Sequence, residues 1–220
     1  MGWIEFCAAF AVFFLTHSVP IRPPVRPWLI ARLGQHGFTL AYSALSLASL
    51  AWLIGAANRA PYVGLWSWAP WQSHLALTGM LAVCLIVALA IGKPNPFSFG
   101  GARNDRFDPA RPGLVRFTRH PLLLAIGLWA LVHILPNGDL AHVLLFGTFA
   151  LFALIGVRLV DARRKREMGE EWHRLNAERR KTARIHLTAR DLLRVAIGLL
   201  VYAALLWAHP VLFGVSPIPA

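Results

Sequence analysis

Residues 38–57 read FTLAYSALSLASLAWLIGAA, twenty consecutive positions without a charged side chain. At 1.5 Å per residue a helix of that length covers about 30 Å, the thickness of the hydrocarbon layer of a bilayer. A window of about 19 residues, moved outward from this segment, predicts six spans, at roughly 2–19, 38–57, 74–92, 121–136, 140–160 and 192–213. The fourth is the shortest, and the turn signal Pro136-Asn137-Gly138-Asp139 after it predicts a helical hairpin of the fourth and fifth spans. The whole composition agrees. Of 220 residues 57% are hydrophobic and only 15% charged, against about 45–50% and about 25% in globular domains, and the mean hydropathy is +0.54. A soluble globule of this size needs far more polar surface. The expected fold class is therefore all-α, a polytopic transmembrane helical bundle of about six spans, forming a single domain over residues 1–220. The amino terminus carries Glu5 and lacks a basic leader region and a small-residue cleavage site, so a retained first span is expected.

The net charge of +12 raises the question of a nucleic-acid partner, which the positions of the charges answer. Segments 19–37, 93–120 and 161–191 carry nineteen Lys and Arg residues between them, whereas 58–73, 137–139 and the tail after 213 carry one, Arg59. Loops of alternating sidedness thus differ sharply, and the positive-inside rule places the basic set in the cytoplasm and both termini outside. Topology and anionic headgroups account for the charge, so the expected partner is the lipid bilayer and no nucleic acid. The 93–120 loop, rich in Pro and Gly, is long enough to be either functional or disordered. Within 161–191, Met168, Trp172 and Leu175 fall at helical spacing among charges, which predicts an amphipathic helix on the inner headgroups. Thr188-Ala189-Arg190-Asp191 has the spacing of a capping box before the last span.

Nine histidines are present, and ionisable side chains at membrane depth tend to face a cavity, a bundle interior or a cofactor. The topology sorts them into layers. His17 and His120 fall toward the cytoplasmic side, and His74, His133, His142 and His209 toward the outer ends of their spans. Histidines at span ends also serve simply as interfacial residues bonded to water, headgroups or carbonyls. His133 sits about a turn inside its helix, sharing a face with Trp129. A haem would need neutral imidazoles from two helices, each oriented by an acceptor on its other nitrogen. At the start of the fourth span, Arg119-His120-Pro121 reads either as a helix start with a snorkelling arginine or as a polar cradle for an anion at a helix amino terminus. Cys7 and Cys84 make neither a disulfide framework nor a CxxC metal motif, and no metal site is expected from the spacing.

The chain resembles the NnrU family of bacterial inner-membrane proteins over nearly its full length. The resemblance is carried by Thr16-His17-Ser18, Pro94-Asn95-Pro96-Phe97-Ser98, Asp108-Pro109-Ala110-Arg111-Pro112-Gly113, Thr118-Arg119-His120-Pro121, Leu128-Trp129-Ala130-Leu131-Val132-His133, Asn137-Gly138-Asp139, and Leu206-Trp207-Ala208-His209-Pro210 with the tail through Pro217. It implies a multi-pass inner-membrane protein that supports denitrification, with components of nitrite and nitric oxide reductase systems as partners. More distantly the chain is similar to zeta-carotene isomerase, which implies haem b linked to His17 and His133; His74 and His209 stand as alternative partners of His133, since His17 lies toward the other face. A third resemblance, to isoprenylcysteine and phospholipid methyltransferases, implies S-adenosylmethionine bound on the cytoplasmic side by Arg119, His120 and Glu171, with Asp161 and Met168-Gly169-Glu170-Glu171-Trp172 following in order. A non-enzymatic membrane interaction protein is the remaining alternative.

Overall fold

The computed structural model describes residues 2–181 and 188–219. The part of the 161–191 segment that runs from 182 to 187, including His186, lies outside the described residues. Seven α-helices follow one another: α1 (Gly2–Ser18), α2 (Val25–Arg59), α3 (Pro70–Ala90), α4 (Pro121–Ile134), α5 (Leu140–Met168), α6 (Glu170–Lys181) and α7 (Ala189–Phe213). The six apolar stretches are all helical. Four helices, α2, α3, α5 and α7, are long and apolar enough to cross a bilayer; α1 and α4, of 17 and 14 residues, are shorter. Among the described residues there is no strand, only an isolated bridge between Gly64 and Asp139.

The described residues form two compact units, Met1–Trp66 with Asp139–Leu145, and Ser67–Gly138 with Phe146–Ala220. In the first, α1 packs on α2. Phe6, Ala9 and Phe13 of α1 are buried, as are Ser49, Leu53, Ala56 and Ala57 of α2, each set spaced to form one helical face. Polar side chains join the pair at both ends. Thr16 Oγ1 donates to Ser49 Oγ (3.3 Å), the Tyr42 hydroxyl donates to the His17 carbonyl (3.3 Å), and Glu5 accepts from Trp52 Nε1 (3.3 Å) and Arg59 Nη2 (2.5 Å). Helix α2 begins thirteen residues before the apolar stretch predicted from 38, because backbone hydrogen bonding continues through residues too polar for hydrocarbon. It is kinked at Gly34, whose φ of 70° and ψ of 167° lie outside the helical region and suit a residue without Cβ.

The second unit holds α3, α4, α6, α7 and most of α5. Proline opens both α3 and α4, where its missing N–H costs nothing, and α7 begins with the predicted capping box: Asp191 N donates to Thr188 Oγ1 (3.3 Å) and Thr188 N to Asp191 Oδ2 (3.0 Å). α3 packs against both α4 and α7 through small residues. A Cβ on Gly79 would lie 2.4 Å from Val132 Cγ1, and one on Gly198 would lie 3.2 Å from both the Cys84 carbonyl and Ala88 Cβ. Close backbone approach of this kind replaces the hydrophobic drive that lipid does not provide. At one end Arg194 donates to the carbonyls of Ala88, in the last turn of α3, and of Ile91, just past it (2.8 Å each), and Lys93 pairs with Asp191. Only 6% of the apolar window of α7 is buried, and its Leu200, Trp207 and Val211 face outward, as helices bathed in lipid do.

The amphipathic segment differs from expectation in what covers it. α5 continues to Met168 and stops where Gly169 takes a φ of 57°. Trp172 and Leu175 of α6 are then buried against Phe97 and Val115, with Phe107 and Met168 packed alongside, so the stripe faces the protein's own 93–120 loop. That loop is ordered by this contact and by two single turns of 3-10 helix, Asn104–Arg106 and Gly113–Arg116.

Gly79→Ala should lower the melting temperature of the detergent-solubilised protein by several degrees, since the new methyl meets a stiff β-branched side chain and overpacking costs about 1–3 kcal/mol. Gly147→Ala, which meets nothing within 4 Å, is the control. Equal melting temperatures for the two variants would show that α3 and α4 do not meet at Gly79.

Candidate functional site

Two places in the second unit concentrate chemistry-bearing side chains, and they lie toward the two ends of α4. At its start, Arg119 and His120 precede Pro121, and α5 brings up Asp161 one residue beyond its apolar part. The Arg119 guanidinium grips this carboxylate with two bonds, Nε to Oδ1 (2.9 Å) and Nη2 to Oδ2 (2.5 Å). His120, 2% exposed, lies between Asp161 Oδ1 (2.9 Å from Nε2) and Ser98 Oγ (3.0 Å from Nδ1). A neutral ring satisfies both: Nε2–H donates to the carboxylate, and Nδ1 accepts from the serine hydroxyl. Burial holds the imidazole below its ordinary 6.5, helped by the Arg119 and Arg179 charges and opposed by Asp161. For Asp161, burial pushes the carboxyl up, but the bonds and charges of Arg119 and His120 together hold it below the ordinary carboxylate value.

Around this core the loop is tied in. Asn95 Nδ2 donates to the Arg119 carbonyl (2.9 Å), and Asn95 Oδ1 accepts from the Phe97 amide (3.1 Å). On α6 the buried Arg179 donates to the carbonyls of Val115 (2.6 Å) and Arg116 (2.8 Å) and to Asn176 Oδ1 (3.0 Å). The Trp172 ring lies beneath two cations, Arg119 (5.3 Å) and Lys165 (4.6 Å). Ser98, His120 and Asp161 have the residue types of a nucleophilic relay, but Ser98 is 1% exposed and the carboxylate is shared with a guanidinium. A substrate has no approach to the hydroxyl, so the arrangement acts as a lock between segments.

Near the other end of α4 is a cavity of about 320 Å³ lined by α3, α4, α7 and the carboxy-terminal tail. His133 of α4 and His209 of α7 both line it. Each has Nδ1 against a main-chain carbonyl, of Trp129 for His133 (2.7 Å) and of Val215 for His209 (2.8 Å). The carbonyl can only accept, so it puts the proton on Nδ1 and leaves Nε2 of each ring as a lone pair. Neither Nε2 has a hydrogen-bond partner among the described residues. Leu77, Met80 and Leu206 supply apolar wall, and two polar groups nearby are already engaged: Tyr202 donates to the Leu77 carbonyl (3.1 Å) and Trp68 Nε1 to Ser73 Oγ (3.0 Å).

The family model described as NnrU protein matches residues 5–217. The chain belongs to the NnrU family. None of the curated proteins and none of the solved structures matches it. Of the segments on which the NnrU resemblance rests, Pro94–Ser98 and Thr118–Pro121 contribute to the lock, while His133, Asn137 and residues of 206–217 line the cavity.

Of the haem candidates, the structure brings His133 and His209 to one cavity. His74 is exposed on α3, with Nδ1 against the Pro70 carbonyl (2.9 Å), and does not line it. His17 belongs to the first unit, where its Nδ1 meets the Phe13 carbonyl (2.8 Å). Among the described residues no three His, Cys, Asp or Glu side chains group as metal ligands. Arg119 and His120 are together as the sequence suggested, but Glu171 is on the surface, paired with Arg174 at 2.6 Å. Sequence reasoning missed Ser98, Asn176 and Arg179. Arg179 carried a signal, since it continues the Trp172 and Leu175 stripe at helical spacing, where a charge demands a partner.

Asp161→Asn should destabilise the NnrU protein by about 3 kcal/mol, because it strands a largely buried guanidinium, and thermal unfolding in detergent measures this. Acid should act in the same sense. A histidine with a lowered folded value resists protonation in the native state, and a carboxylate with a lowered value is stabilising only while ionised. The contribution of the cluster is therefore whole above the ordinary imidazole value of 6.5 and falls as the pH drops through that value and on past the carboxylate value of 3.8. His120→Gln should flatten the upper part of this decline, and a melting temperature unchanged between pH 7 and pH 5 in the unsubstituted protein would refute it.

Proposed function

We propose that this NnrU family membrane protein supports nitrogen-oxide metabolism by holding a haem b in the cavity near the end of α4, where His133 and His209 would hold the iron. The observation that carries the reading is the pair of imidazoles from different helices, each with Nδ1 fixed by a main-chain carbonyl and Nε2 left as a lone pair in one apolar cavity. Haem ligation needs that arrangement: the second acceptor sets the tautomer and orientation and raises the basicity of the ligating nitrogen. The donor set fits, being neutral and soft enough for iron and free of competing carboxylates. At about 320 Å³ the space is at the lower end of the range for ligand pockets, about 300–1,000 Å³. The tail residues Val215, Ser216 and Pro217 form part of its wall. Bound haem would supply one-electron chemistry and, where nitric oxide displaced one of the imidazoles, a binding position for that gas. The residues of the chain would hold the iron, exclude water with apolar walls and tune its potential through the two carbonyls.

In the cell this reading makes the protein a redox-active or nitric-oxide-responsive component of the bacterial inner membrane, with both termini outward, serving nitrite and nitric oxide reductase systems. The alternative with S-adenosylmethionine relies on Arg119, His120 and Glu171, whose hydrogen-bonding groups are engaged by Asp161, Ser98 and Arg174. The cavity has open lone pairs; that cluster has none to spare.

An absorption spectrum of protein made in haem-replete cells and purified in detergent, oxidised and then dithionite-reduced, tests the reading. Stoichiometric Soret absorption is expected, lost in His133→Ala and His209→Ala and kept in His74→Ala and His120→Ala. Colourless protein would sink the haem reading in favour of an interaction protein. Loss in His17→Ala with retention in His209→Ala would move the second ligand to α1.

A further inference from the structure

Neither the lock nor the cavity gives a role to the Asp108-Pro109-Ala110-Arg111-Pro112-Gly113 segment. It forms one wall of a separate cleft of about 120 Å³, whose other wall is Lys93-Pro94-Asn95 and the last turn of α3. Three cations line this cleft: Lys93, Arg106 and Arg111. Lys93 is partnered by Asp191 of α7, but the guanidinium groups of Arg106 and Arg111 have no acceptor among the described residues. The one carboxylate in the lining, Asp108, is turned to its own chain, with Oδ1 accepting from the Ala110 amide at 2.9 Å. Two unpaired guanidinium forks beside a neutralised lysine leave a net positive site, and planar guanidinium groups match the oxygens of a phosphate two at a time.

The rest of the lining narrows the source of that phosphate. Leu89, Leu114 and Pro121 give the cleft an apolar wall, and Leu89 and Ala90 end an apolar helix long enough to cross the bilayer. The cleft thus stands where hydrocarbon gives way to headgroups, with charge on one side and apolar surface on the other. We infer that the cleft between Lys93 and the 106–114 segment binds a phosphate group, presented there as the headgroup of a membrane phospholipid. The haem reading does not require this site, which shares no lining residue with the cavity of His133 and His209.

Thermal unfolding of the full-length, detergent-solubilised protein tests it, at fixed ionic strength, with dioleoyl phosphatidylglycerol, dioleoylglycerol or inorganic phosphate as the probe. Phosphatidylglycerol should raise the melting temperature and dioleoylglycerol, which lacks the phosphate, should not. In the Arg106→Gln, Arg111→Gln double variant the half-saturating phosphatidylglycerol concentration should rise about tenfold or more, the loss expected for charge-assisted bonds. Arg180→Gln, which removes an exposed charge outside the cleft, should change it less than about twofold by the same reckoning. A shift with inorganic phosphate as large as with the lipid would keep the phosphate site and identify a soluble anion as its occupant. Three results would overturn the proposal: no shift with either phosphate probe, an equal shift with dioleoylglycerol, or equal weakening in Arg180→Gln. All three substitutions are at exposed residues and leave the core untouched, and far-UV circular dichroism confirms that the variants are folded.

Discussion

The Asp161 carboxylate holds the charged end of the second unit together. In hydrocarbon, apolar helices gain little by exchanging lipid for one another, so the polar contacts at their ends carry much of the information about register. Asp161 spends both oxygens on α4, through the two-pronged Arg119 contact and through His120. The same Arg119 offers its carbonyl to Asn95 and its guanidinium face to Trp172. One carboxylate therefore joins α4, α5, α6 and the 93–120 loop. Replacing the whole cluster with apolar residues of similar volume need not cost stability, whereas removing one member must, because a buried ion is then left without its partner.

Between their ends the helices are held by shape. Gly79 admits Val132, Gly198 admits the backbone of α3, and Gly127 and Gly156 of the α4 and α5 pair lie against Ala153 and Leu123. Large side chains are displaced outward to the lipid, including Leu200, Trp207 and Val211 on α7. Where α3 meets α4 and α7, small residues thus take the place that large apolar ones hold in water-soluble bundles. α6, by contrast, is short and charged and lies outside the apolar segments.

What could be read in the sequence follows from which forces are local. Hydropathy is a sum over neighbours, so the six apolar stretches were legible, as was the Thr188 to Asp191 cap, whose two bonds close within four residues. The start of α2 at Val25 was not, because Arg26 and Arg32 end a hydropathy window without ending a helix. The amphipathic stripe of α6 was visible, but its covering by Phe97 and Val115 in place of headgroups depends on a loop some seventy positions upstream. Similarly, Arg119-His120 stood out as a pair, while its closure by Ser98 and Asp161 is a tertiary event. His133 was legible from its depth in the helix. His209 gained its orientation only when the chain turned back after Gly214, a left-handed residue that ends α7 and brings the Val215 carbonyl to Nδ1.

The two ends of α4 illustrate why an evident charged motif is a poor guide to a binding site. His120 and His133 are thirteen residues apart, about 20 Å along a helix, and their surroundings are opposite in kind. At His120 both ring nitrogens are engaged, by Asp161 and Ser98, and the Arg119 guanidinium is held by the same carboxylate. A ligand there would have to displace bonds already made. At His133 and His209, which line the cavity, the main chain takes up the N–H of each ring and leaves the other nitrogen without a hydrogen-bond partner among the described residues. Such a lone pair in apolar surroundings gains from any Lewis acid that can enter, and the helices on which the rings sit are already fixed by the small-residue packing of α3 against α4 and α7. Of the two ends of α4, it is the cavity end at which the fold leaves ring nitrogens unmatched among the described residues.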